Sequence, residues 1–177
     1  MNGKLVIILA GALTVAGCDL VPDPTVFPLS RNQVQAMLMD ARTTMPRRDD
    51  AKEKIKIWGE ARTSKGVRLN MKYASWAPLL ECEAVITVIK PEETRVVADC
   101  GKSANANESA MARTQDQLRA PMFEEHIAST LNKRPFDRSK VTAKETAAVF
   151  KNLNGMQNEA LQMAADEAKL RAAARSR

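Results

Sequence analysis

Few side chains in this 177-residue sequence are equipped for chemistry. His126 is the only histidine, and the three cysteines are Cys18, Cys82 and Cys100. A single histidine supplies neither a zinc ligand set nor a base for a Ser-His or Cys-His nucleophile pair. The sequence also lacks a G-x-S-x-G elbow, an S-x-x-K pair and a phosphate-cradling glycine loop. Two carboxylates, Glu83 and Asp99, are expected to stand opposite each other on paired strands. Paired carboxylates do acid/base work when one is kept protonated. Here Lys72 or Arg68 on a neighbouring strand is placed to neutralise them, and nothing implies a pocket. The acidic pairs Asp49, Asp50 and Glu124, Glu125 read as ordinary surface charge. The sequence therefore points away from an enzyme, with no catalytic set, no metal site and no cofactor.

A second candidate is a basic strip around an aromatic ring. Lys54, Lys56, Trp58, Arg68 and Lys72 fall on one face of a hairpin whose other face is apolar. Such a strip can grip an anionic glycan, a lipid head group or an acidic partner segment. The plainer reading is the solvated side of an antiparallel sheet.

These residues need strands and helices to position them. Ser30, followed at the third position by Gln33, has the form of a capping box. Val34, Met37, Leu38 and Ala41 continue from it with helical spacing. The polar run 43–50, with Pro46, ends that helix. Residues 53–74 alternate with period two around Ser64, Lys65 and Gly66, a hairpin loop. Pairing Thr63 with Val67 sets Ile57 against Tyr73 and Trp58 against Lys72. A second hairpin, with strands at 81–89 and 94–101, turns at Pro91, Glu92 and Glu93. If Cys82 faces Cys100, then Ala84 meets Ala98, Ile86 meets Val96 and Val88 meets Thr94. The cross-link and the apolar pairing demand one register.

Helical patterning returns from about Asn105, with a kink or break expected at Pro121. A long last helix starts near Thr142. Its apolar residues Val149, Leu153, Met156, Ala160 and Met163 recur at alternating spacings of four and three, the seam expected to pack on the sheet or another helix. The expected class is α+β: a four-stranded antiparallel meander, an N-terminal helix, and two or three C-terminal helices on one face. The far half of the last helix, 159–177, either roofs the sheet or extends beyond the domain; the roof is the simpler arrangement.

The first 18 residues address the chain. Lys4 precedes an apolar run at 5–17, the layout of a secretory signal peptide. The run is short of the about 20 residues a spanning helix needs. Val15, Ala16, Gly17 and Cys18 resemble the lipobox of bacterial lipoproteins. That resemblance covers only the N-terminus, and implies a diacylglyceryl group on Cys18 and cleavage before it. Asp19 carries a further implication, retention on the periplasmic side of the inner membrane, with the outer membrane as the other address.

The chain then divides into a signal peptide at 1–17, a lipidated tether at 18–29 containing Pro22, Pro24 and Pro28, and one α+β domain at 30–177 with a frayed basic end. Export exposes Cys82 and Cys100 to an oxidising compartment, where pairing is the default. Loss of Lys4 lowers the formal charge of +6 by one. A basic domain beside a membrane attracts anionic surfaces, and its exported location excludes nucleic acid. The expected function is that of a small non-enzymatic envelope lipoprotein, an accessory or structural subunit of a membrane-associated assembly with protein partners. The alternative is a ligand-binding lipoprotein for an anionic glycan or lipid.

Overall fold

In the computed structural model, residues 23–47, 50–101 and 109–175 are described. Cys18 and the rest of the N-terminal motif lie outside them. The element order is β1 (Val26–Phe27), α1 (Arg31–Asp40), β2 (Arg42–Pro46), β3 (Lys54–Arg62), β4 (Gly66–Lys72), β5 (Leu79–Lys90), β6 (Glu93–Asp99), α2 (Ala110–Leu131) and α3 (Arg138–Arg175). The α+β class is as expected, but the sheet has six antiparallel strands rather than four, in the order β1-β6-β5-β4-β3-β2.

Both added strands lie at edges; β1 is only two residues long between Pro24 and Pro28, and β2 is mostly polar and ends in Pro46, so neither carries a strong strand pattern. β1 falls inside the segment read as a tether: Val26 pairs with Arg95, and Phe27 enters the core. β2 occupies the run read as a helix stop, with Pro46 at its end on the edge, where a missing N–H costs no ladder bond. Because β1 and β2 lie at opposite edges, α1 must cross the sheet between them. Its start follows the capping box, with Gln33 Oε1 accepting from both the Ser30 N–H and the Ser30 hydroxyl at 2.8 Å. Val34 and Leu38 are fully buried against the sheet.

The crossing is anchored at both levels of the chain. Gln35 donates to the Gly66 carbonyl at 3.1 Å, and Arg31 donates to the Ile86 carbonyl at 3.3 Å. The core joins Ile55, Ile57, Val67, Leu69, Ala84, Ile86 and Val96 of the sheet to Met122, Phe123 and Ile127 of α2.

The second hairpin has the expected register: Ala84 faces Ala98, Ile86 faces Val96 and Val88 faces Thr94. Cys82 and Cys100 form a disulfide across a Cα separation of 4.0 Å. The closed loop, with a sequence separation of 18, is worth about 3 kcal/mol through restriction of the unfolded chain. Denaturant unfolding with and without reductant should differ by about that amount.

The first hairpin departs from expectation. Ile57 faces Met71 and Trp58 faces Asn70, because the register shifts at Glu60 between Gly59 and Ala61. The shift at the turn and the shift at the bulge together amount to two residues, so apolar side chains still meet apolar ones.

α2 runs unbroken through Pro121. α3 does not roof the sheet. Past Val141, which enters the core, it packs chiefly along α2.

Candidate functional site: a helical hairpin and the groove at its root

The α2–α3 hairpin begins at a buried ion pair. Glu125, read from the sequence as surface charge, is buried and forms a two-pronged bond to the Arg134 guanidinium, one prong at 2.9 Å. It also accepts from the Asp137 N–H at 2.8 Å. Burial pushes this carboxyl up, but the Arg134 hydrogen bonds, the Asp137 N–H and the nearby cations outweigh it, leaving it below its ordinary value. The pair fixes the connection at 132–137, and so the direction in which α3 returns.

The returning helix meets α2 through small and polar residues. Val141, Glu145, Ala148, Asn152, Gly155 and Glu159 form the facing row, at alternating spacings of four and three. Asn152 Nδ2 donates to the Gln117 side-chain oxygen, Oε1, at 3.0 Å. A Cβ built on Gly155 would lie 2.8 Å from the Ala110 methyl, so glycine sets the closest approach of the helices. At the end of the shared length, the Glu159 carboxylate closes the start of α2. It accepts from the Ser109 hydroxyl at 3.0 Å, from the Met111 N–H at 3.2 Å and from the Ala110 N–H. Those donors, the Ala110 N–H foremost, hold the Glu159 carboxyl below its ordinary value. A carboxylate at this position also suits the positive end of the helix dipole.

The row chosen from the sequence as the packing seam is therefore the wrong one. Val149, Leu153, Met156 and Ala160 lie about a quarter turn away at 100° per residue, while Met163 and, seven residues on, Leu170 drift back toward the line of the facing row. Most of that row faces solvent. Past Glu159, α3 has no α2 beside it, and Leu161, Met163 and Leu170 are 70%, 65% and 71% exposed. Residues 160–175 form an arm of roughly 24 Å.

Where the hairpin leaves the sheet, a groove of about 710 Å³ opens. Its floor is Met71, Tyr73 and Leu80 of the sheet end, and its walls are Leu118 and Met122 of α2 and Val149 and Phe150 of α3. Arg119 and Arg138 stand among these apolar residues. Neither could be picked from the sequence, because the groove joins segments far apart in the chain.

The basic strip is divided by the fold. Lys54, Lys56 and Lys72 gather with Lys52 and Glu53 around a shallow hollow, and Lys72 Nζ donates to the Ala77 carbonyl. Glu53 is already engaged by the Ser75 N–H and hydroxyl at 3.0 and 2.8 Å. Trp58 is half-buried and donates to Glu60 at 3.2 Å, which also accepts from Asn70 at 3.1 Å. Arg68 sits elsewhere, with Glu81, Glu83 and Asp99 beside the disulfide. Glu83 and Asp99 do face each other, and Glu83 accepts from the Thr63 hydroxyl.

His126 is fully buried between α2 and β2. One ring nitrogen, Nδ1, lies 2.8 Å from the Thr43 hydroxyl, and Nε2 has no partner among the described residues. Burial first, and the Arg42 cation second, lower its pKa to about 4.

Among the described residues no group of three or more His, Cys, Asp or Glu could hold a metal ion, and no helix is long and apolar enough to cross a membrane. No protein-family model matches the chain, and no curated protein or solved structure matches it.

Proposed function

We propose that this protein is a small non-enzymatic lipoprotein of the bacterial cell envelope, anchored through Cys18 on the periplasmic side of the inner membrane, where it serves as a subunit of a membrane-associated assembly. The observation that carries the reading is the arm of α3. Its residues 160–175 contribute nothing to the core, yet Met163 and Leu170, seven residues apart on one side of the helix, stand in water, as does Leu161 on the opposite side. A projecting helix with Met163 and Leu170 at heptad spacing offers a partner a seam to pack on.

The spacing of the uncovered row suits one kind of partner, an amphipathic helix laid along α3 with knobs-into-holes contacts. The charges flanking the row are already paired along the helix, Lys169 with Asp166 at 3.0 Å and Arg171 with Glu167. They leave the apolar residues as the surface to be read.

Cross-linking of the tagged full-length chain in native membranes tests the reading, with Cys18→Ala as the unanchored control. One or two stoichiometric partner proteins are expected. The Met163→Glu, Leu170→Glu double variant should fold normally by circular dichroism and recover at least about tenfold less partner, since buried interface anchors are each worth about 2 kcal/mol or more. Recovery of the chain alone, or a partner yield unchanged by the double variant, would overturn the proposal.

A further inference from the structure

We infer that the groove at the root of the hairpin binds one acyl chain carrying an anionic head group. Its volume of about 710 Å³ falls within the range of about 300–1,000 Å³ typical of small-molecule sites, and its lining follows their pattern of apolar walls with a few convergent polar groups. Met71 and Leu80 of the sheet end supply the floor, and Leu118, Met122, Val149 and Phe150 of the two helices supply the walls. The lining is aliphatic, with aromatic rings only from Tyr73 and Phe150, and suits a flexible chain better than a planar ring system.

The charge at the groove decides the head group. Arg138 directs one guanidinium N–H to the thioether sulfur of Met122 at 2.7 Å, a weak acceptor for a cation. The carboxylate nearest to it, Glu145, stands 3.8 Å away. Arg119 is similarly distant from its partner Asp116, at 3.6 Å. Two guanidinium groups with loose partners thus share one apolar groove. A carboxylate or phosphate there would replace the sulfur contact with a forked, charge-assisted bond, the geometry for which arginine is best suited. A free fatty acid and a phospholipid share this chemistry.

This inference is independent of the arm proposed above, because the groove residues precede residue 153 and the arm begins beyond Glu159. The test is photo-labelling of the full-length chain in isolated membranes with a diazirine-bearing fatty acid, followed by mapping of the adducts. Adducts are expected on Leu118, Met122, Val149 or Phe150. Excess oleate displacing the probe identifies a free fatty acid as the better occupant, whereas phosphatidylglycerol displacing it identifies a phospholipid. Oleyl alcohol, which lacks the charge, should compete at least tenfold less well than oleate.

Arg138→Gln should reduce labelling about tenfold, and Glu145→Gln, which removes the competing carboxylate, should increase it. A merely structural role for this pair would not move labelling in opposite directions. Absence of adducts from the groove overturns the inference, and this is also the outcome if a partner helix fills it. Labelling undiminished in Arg138→Gln, or equal competition by oleyl alcohol, overturns it as well.

Discussion

Lowering the pH from 7 to 5 should cost this fold about 2 kcal/mol through His126 alone. The histidine titrates at about 4 in the folded chain against 6.5 for its ordinary value. The unfolded chain therefore binds a proton that the folded chain refuses throughout that window. Stability is full above pH 6.5 and declines as the pH falls toward 4, where the accumulated loss reaches about 3 kcal/mol.

The physical cause lies in the packing of α2 against β2. A proton arriving on Nε2 meets no acceptor, and the Arg42 cation opposes the new charge. The check is a comparison of denaturant unfolding at pH 7 and pH 5 for the natural chain and His126→Asn. Asparagine keeps a hydrogen-bonding group near the Thr43 hydroxyl. The variant should be less stable at pH 7 because of the lost ring volume. It should also lose about 2 kcal/mol less than the natural chain between the two pH values. An unchanged pH dependence would show that His126 is not the group responsible.

Gly59→Ala is expected to cost about 3 kcal/mol or more, an unusually large effect for one methyl group. α1 crosses the sheet directly over this residue. A Cβ there would lie 2.4 Å from the Leu38 carbonyl oxygen and 2.8 Å from the Met39 Cα. Both obstructions are backbone, so no side chain can turn aside and the whole helix must lift. Leu38 and Val34, fully buried on that helix, would lift with it.

Gly101→Ala is the comparison. Its added methyl meets nothing within 4 Å among the described residues, and the strain there is that of a φ of 64°. A left-handed alanine costs roughly 1–2 kcal/mol. If urea unfolding placed the two variants at equal stability, close packing of α1 on β3 would not be what Gly59 serves.

These two positions differ in how visible they are in the sequence. His126 is visibly beside Met122 and Ile127 on an apolar stretch, which suggests burial but not the missing partner on Nε2. Gly59 looks like any strand glycine until α1 is placed across it. The same division runs through the fold. Ser30 and Gln33 mark the start of α1 because a capping box is a local device, complete within four residues. The second hairpin is legible because the cysteine pair and the alternating apolar residues select one register independently.

The first hairpin lacks such a double constraint. Glu60 can be absorbed as a bulge without exposing the apolar face, so alternation alone does not distinguish two registers that differ by two residues. β1 and β2 are hidden for another reason. Edge strands are stabilised by the ladder they complete rather than by their own composition, and Pro24, Pro28 and Pro46 argue against strand in any local reading.

The long helix shows where local information ends. Sequence by itself determines that a long helix runs on from near Thr142, one turn inside its actual start at Arg138, and that Val149, Leu153, Met156, Ala160 and Met163 share a side of it. Apolar area then makes that side the natural packing face. Only the tertiary structure decides otherwise. The Glu125–Arg134 pair sets the angle of the connection, and Gly155 lets the backbones approach at Ala110. Glu159 completes the exposed N-terminus of α2 with its carboxylate. Each of these contacts joins residues from separate elements, so none leaves a periodic trace in the chain. Together they turn the small, polar row toward α2 and leave the apolar row facing outward.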